Sequence, residues 1–223
     1  MLIVLCGTDT GVGKTHVGRH LLKALRARGV SVNVAKPLES GLGATGRPED
    51  ALALMSAAGV KRPASSVAGW TWLPALAPAE AMRRAGQKLE LGEVVRFVRD
   101  VRGVEEFMLV ETAGGLLSPL TGNARCIDLA VALCAPIILV APQRLGVISQ
   151  VSMAIEAAQS RNVRILAVVL NEMEDLPEED AEANVWWIEQ RYPDVPVLRS
   201  DSDGAAPQLL ELLVREISGS ALM

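Results

Sequence analysis

Cysteine is scarce in this chain and has no pairing pattern. Cys6, Cys126 and Cys134 are odd in number and no two have C-x-x-C spacing, which argues against a disulfide framework and against a zinc site. A reducing, cytoplasmic setting is expected. Positive charge is also short: 22 Lys and Arg stand against 26 Asp and Glu, a formal net charge of −4. No field then gathers nucleic acid or acidic lipid, neither is expected as a partner, and any small anion must be bound locally. No apolar run reaches the about 18 residues of a membrane span, and no charged n-region with an apolar stretch opens the chain, so neither a membrane segment nor a signal peptide is expected.

Apolar residues make up 50% of the 223 positions. That is enough for one sizeable α/β core and short for a two-domain enzyme, so one domain over residues 1–223 is expected. Apolar runs alternate with amphipathic segments, the pattern of a mostly parallel sheet covered by helices on both faces. Strands are expected over 2–6, 30–35, 107–110, 136–141 and 163–170, with a weaker one near 195–198. Helical periodicity covers 15–28, 91–101, 127–134, 146–161, 181–190 and 206–217. Ligands of such sheets bind at the carboxyl ends of the strands, so polar residues at those exits are the candidates.

The first exit carries Gly7-Thr8-Asp9-Thr10-Gly11-Val12-Gly13-Lys14-Thr15. Gly11 and Gly13 allow a tight turn that points successive N–H groups inward, and the helix that follows adds its positive dipole end. Lys14 can reach β- and γ-phosphates and the Thr15 hydroxyl can ligate Mg²⁺, which makes the segment a phosphate loop. Thr8 stands where the common pattern G-x-x-x-x-G-K-[ST] has its first glycine. Asp9 occupies the place where partition-type ATPases carry a second lysine.

Four further groups stand near strand exits or helix starts. Lys36 precedes Pro37, which stops the second strand, and so projects toward the phosphate loop. Glu111 is read as ending the run 107–110, an acid placed where P-loop proteins hold Mg²⁺; Ala113-Gly114-Gly115 then permits close backbone approach. Asp50 reads as the N-cap of a short helix. Asn171, after the strand at 163–170, can bond a nucleobase edge or merely end the strand. His16 and His20 have metal-ligand spacing, but Val17 replaces the glutamate of H-E-x-x-H. Trp70, Trp72, Trp186 and Trp187 are read as packing area. The acidic stretch 172–182 is read as a solvated loop without basic partners.

Together these segments resemble the dethiobiotin synthetase family. G-T-D-T-G-V-G-K-T at 7–15, A-K-P-L-E-S-G at 35–41, E-D-A-L-A-L at 49–54, V-E-T-A-G-G at 110–115, R-L-G-V-I-S at 144–149 and L-N at 170–171 follow the family's order over about three quarters of the chain. The resemblance implies a P-loop NTPase-like α/β fold and ring closure of 7,8-diaminononanoate with CO2 and ATP to dethiobiotin, ADP and phosphate. It implies Thr15, Asp50 and Glu111 as Mg²⁺ ligands. Gly11, Val12, Gly13, Lys14, Thr15, His16, Glu111, Gly114 and Asn171 would contact the nucleotide. Lys14, Lys36, Thr10 and Ser40 would be catalytic, the last three facing carbamate and diamine. It also implies a homodimer in which the substrate carboxylate reaches a partner helix beginning near Leu145 and Gly146.

Thr112 stands where the family usually has glycine and is expected to narrow the substrate pocket. Residues 195–199 lack a Pro-Trp-Leu-like segment near the base. Two alternatives stay open: a ParA/MinD-like ATPase switch that binds a protein partner, and a related ATP-dependent ligase acting on a different amine.

Overall fold

The computed structural model describes residues 1–173, 176–200 and 206–220. Its centre is a six-stranded sheet built from β1 (Leu2–Gly7), β2 (Val32–Ala35), β5 (Phe107–Gly115), β6 (Ile137–Pro142), β7 (Ile165–Asn171) and β8 (Val197–Ser200). Their order is β2-β5-β1-β6-β7-β8, and every neighbouring pair is parallel. A second, two-stranded parallel sheet joins β3 (Leu38–Ser40) to β4 (Trp70–Trp72). This small sheet is absent from the sequence reading, because three-residue strands leave too few alternations to detect.

The central strands are almost wholly apolar, Glu111 and Thr112 of β5 excepted, because both of their faces are covered. Ile3, Leu5, Phe107, Leu109, Ile138 and Val140 point to one side, toward α1 (Lys14–Ala27), α2 (Glu49–Ala58) and α8 (Pro207–Ser220). Val4, Cys6, Met108, Val110, Ile137 and Leu139 point to the other. There they meet α3 (Pro78–Arg84), α4 (Leu91–Val101), α5 (Cys126–Leu133), α6 (Val147–Gln159) and α7 (Glu178–Arg191). In α1, Val17, Leu21, Leu22 and Leu25 form the buried stripe, at helical spacing.

Most expected elements are present with ends moved by one to three residues, and three differences bear on function. β5 does not stop at residue 110: Glu111 pairs with Leu5 inside the strand, and a bulge follows before Gly115 pairs with Gly7. Asp50 is not an N-cap. Pro48 holds that position and Asp50 is the second residue of α2. Finally, the acidic stretch has a basic partner, since Arg199 of β8 bridges Glu172 at 2.5 Å and also pairs with Glu178. Glu174 and Asp175 of that stretch lie outside the described residues.

Candidate active site

The exits of β1, β2 and β5 open into one cleft of about 610 Å³. Its floor is the phosphate loop. Gly13 caps α1 with φ +90°, a left-handed conformation that a side chain disfavours, and a Cβ there would stand 2.0 Å from Asn171 Nδ2. Gly11, at φ +74°, faces the cleft without such a neighbour. The Lys14 ammonium donates to the Asp9 carbonyl at 3.0 Å, folded back across the loop. Burial lowers the Lys14 pKa and the nearby Lys36 charge adds to that, while Glu111 opposes both.

Thr15 and Glu111 meet beside the loop, where the threonine hydroxyl donates to Glu111 Oε1 at 2.7 Å. Lys36 reaches the same oxygen at 2.5 Å and Asp50 Oδ2 at 2.8 Å. Lys36 is nearly buried, and its burial alone would lower its pKa; the charges of Glu111 and Asp50 outweigh that and hold it above the ordinary lysine range. Burial likewise pushes the Asp50 carboxyl up, but the Lys36 charge and hydrogen bonds from Lys36 and Thr15 leave it below its usual value. Glu111 is fully buried, and its second oxygen, Oε2, has no hydrogen-bond partner among the described residues. Two carboxylates, one of them with an orphaned buried oxygen, and a hydroxyl are the donor chemistry of a site for a hard divalent cation.

Thr10, His16, Ser40 and Gly114 also line the cleft. The Ser40 hydroxyl donates to the Leu76 carbonyl at 2.6 Å, and Gly114, at φ +78°, lies opposite Thr10. Val12 and Asn171 stand outside the cleft wall: Val12 is buried in the core beside α1, and its carbonyl accepts the Asn171 amide at 3.1 Å. Asn171 Oδ1 in turn accepts the Ser200 hydroxyl at 2.7 Å. His16 bonds His20 through its carbonyl to Nδ1 at 3.1 Å, with the two rings edge to face. Trp72 is buried, donating to Gln87 at 2.8 Å, and Trp70 packs on Phe97; Trp186 and Trp187 lie half exposed against each other.

Thr112 is not on the cleft wall, contrary to expectation. Its hydroxyl donates to the Leu5 carbonyl at 3.3 Å inside the sheet, because the alternation of β5 that brings Glu111 toward Thr15 turns Thr112 to the other face. Sequence reasoning missed Glu39, a buried carboxylate on the cleft wall, and the contribution of residues 75–78. No side-chain pattern marks Glu39, which stands between Leu38 and Ser40 and whose partners are the backbone N–H groups of Asp50 and Ala51.

Residues 2–199 match a family model described as an AAA domain. The ATP-dependent dethiobiotin synthetase of Anaeromyxobacter dehalogenans is 40% identical over 169 residues, 76% of this chain and 75% of that protein. The enzyme of the same name from a Caulobacter species is 37% identical over 188 residues, covering 81% and 80%. That of Bacillus cereus is 34% identical over 194 residues, covering 87% and 80%. Among solved structures, the MinC:MinD cell division protein complex of Aquifex aeolicus aligns with TM-score 0.53 at 16% identity, over 96% of this chain and 85% of that one. At that identity the likeness is one of fold alone.

Proposed function

The chain belongs to the ATP-dependent dethiobiotin synthetase family, and from that premise we propose that it closes 7,8-diaminononanoate with CO2 and ATP into dethiobiotin, releasing ADP and phosphate. It is accordingly an ATP-dependent ligase that forms carbon–nitrogen bonds. One amine adds to CO2 and loses its proton, giving a carbamate. A carbamate oxygen attacks the γ-phosphorus in line, ADP leaves, and a mixed carbamic-phosphoric anhydride forms. The second amine attacks its carbonyl and loses a proton, the bond to phosphate breaks and phosphate leaves, and the cyclic urea is closed.

The protein's part in this chemistry is positioning and charge. Loop N–H groups around Gly11, Val12 and Gly13 hold the phosphates, and Lys14 exchanges its contact with the Asp9 carbonyl for the β- and γ-phosphates. Thr15, Asp50 and Glu111 would hold Mg²⁺, which when bound neutralises phosphate charge. Lys36, kept protonated by its two carboxylates, stabilises negative charge on the carbamate and on the transferring phosphoryl group. Thr10 and Ser40 orient the diamine from the cleft wall. His16 and Gly114 line the nucleotide side, and Asn171 acts by holding Val12 in place.

The observation that carries this reading is the position of Lys36. A second lysine, delivered from the exit of β2, shares Glu111 with the phosphate-loop threonine. A nucleotide switch is disfavoured by Asp9, whose carboxylate accepts the Thr10 N–H at 2.6 Å where partition-type ATPases carry a lysine. We place the chain in a homodimer, supported by the nearly complete exposure of Leu145 beside the Gly146 cap of α6, an apolar side chain that a second copy would cover. No helix among the described residues is long and apolar enough to cross a membrane. Lys36→Ala tests the assignment: ATP binding should persist while diamine-dependent turnover falls about 100-fold or more. An unchanged turnover would remove Lys36 from the site.

A further inference from the structure

We propose that Glu39 is the positioning residue for Asp50, holding the first turn of α2 so that the Asp50 carboxylate is presented to the cation site. The inference rests on the assignment of Asp50 as an oxygen donor to Mg²⁺. Every helix begins with N–H groups that lack intrahelical partners. The N-cap of α2 is Pro48, which has no side-chain acceptor, so no cap hydrogen bond is made there. Its partner comes from another element: Glu39 Oε1 accepts the Asp50 N–H and Oε2 accepts the Ala51 N–H, both at 3.0 Å.

A single carboxylate that takes two consecutive N–H groups fixes both the rotation and the height of that turn. The turn carries the Asp50 side chain, whose Oδ2 accepts Lys36 at 2.8 Å. Lys36 and Glu39 belong to one short segment, so Asp50 is gripped by its side chain and by its backbone from the same stretch of chain. Glu39 keeps only 5% of its surface exposed, and that burial pushes its carboxyl pKa up even though Lys36 and the two N–H groups act the other way. The Asp50 charge adds to the penalty. A Ser, Asp or Asn at position 48 would cap the helix without a buried charge. What such a local cap cannot do is tie α2 to the segment that delivers Lys36. Both Glu39 oxygens are engaged by backbone, so its effect on the reaction runs through Asp50.

The test is the magnesium dependence of ADP binding, measured by calorimetry over a range of MgCl2 for the wild-type chain, Glu39→Gln, Asp50→Asn and the double variant. Gln offers one acceptor oxygen and turns its amide NH2, a donor, toward the other backbone N–H. Glu39→Gln should raise the magnesium concentration needed for half-maximal enhancement of ADP binding about 10- to 100-fold, the size expected for an outer partner of a metal ligand. ADP affinity without magnesium should be retained, which reports an intact phosphate loop. The double variant should be no worse than Asp50→Asn alone. Glu39→Asp, which keeps the charge but is one methylene too short for both N–H groups, should shift the same concentration and serves if the Gln variant does not fold. Equal losses from Glu39→Gln in the wild-type and Asp50→Asn backgrounds would overturn the proposal, as would a silent Glu39→Gln beside a defective Asp50→Asn. An Asp50→Asn chain with unchanged magnesium dependence would instead remove the underlying metal assignment, and the proposal with it.

Discussion

Asn171 donates its side-chain amide to the Val12 carbonyl at 3.1 Å, so the end of β7 holds the phosphate loop that leaves β1, 159 residues earlier in the chain. The same amide group fills the space where a Gly13 side chain would begin. Loop conformation and strand exit are therefore one unit.

Removing Asn171 breaks that unit from below. Asn171→Ala should cost about 1–3 kcal/mol, because a buried carbonyl and the Ser200 hydroxyl lose their partner. Urea unfolding measures it, and a loss near zero would mean that the loop holds itself. Gly13→Ala should abolish nucleotide binding, and part of that loss should return in the Asn171→Ala background, where the collision at 2.0 Å is gone.

Lys36 neutralises a carboxylate with no exposed surface. Lys36→Ala should therefore destabilise the nucleotide-free chain by about 3–5 kcal/mol, the cost of leaving a buried charge unpaired. Adding Glu111→Gln should recover most of that stability without restoring turnover. Thermal unfolding and phosphate release separate the two effects, and a double variant as unstable as Lys36→Ala would contradict the pairing.

The Asp50 carboxyl lies below its ordinary value of 3.8 in the folded chain. A folded-state pKa below the unfolded one adds stability that is present above the unfolded pKa and is lost as pH falls through the folded one. The stability difference between wild type and Asp50→Asn should then be constant from neutral pH down to 3.8 and shrink below it. Because half of the Asp50 side chain faces solvent, the effect should be modest and weaken with salt. A difference that changes instead near neutral pH would assign it to another group.

Thr112 fills the sheet and not the cleft. Thr112→Gly should lower the unfolding temperature, with about 1 kcal/mol lost to strand entropy alone, and leave the diamine KM unchanged. A lower KM would return Thr112 to the pocket wall.

The sheet was legible from the sequence because its strands are buried on both faces, and 2–6, 107–110 and 136–141 are unbroken apolar runs. The phosphate loop was legible because its glycines and its Lys14-Thr15 pair are local in the chain. What lies between Lys36 and Asp50 was only half legible: the two charged groups were named, but not the ion pair, which depends on β3 and α2 folding back on one another. Glu39 was missed for the same reason, since its partners are backbone N–H groups that no side-chain pattern announces. Thr112 was misplaced because its neighbour Glu111 was read as the end of a strand, whereas β5 continues through both and alternates between faces. Arg199 escaped notice as a partner of Glu172 because β8 brings it there from 27 residues away.

The central claim is diamine-dependent ligation at the Lys14–Lys36 cleft. Its most direct test is phosphate release by the purified chain with MgATP and bicarbonate, with and without 7,8-diaminononanoate, and with the product identified by mass spectrometry. Phosphate released only with the diamine, matched mole for mole by dethiobiotin and lost in Lys36→Ala, is the expected result. ATP hydrolysis indifferent to the diamine, with no cyclic urea formed, would contradict it.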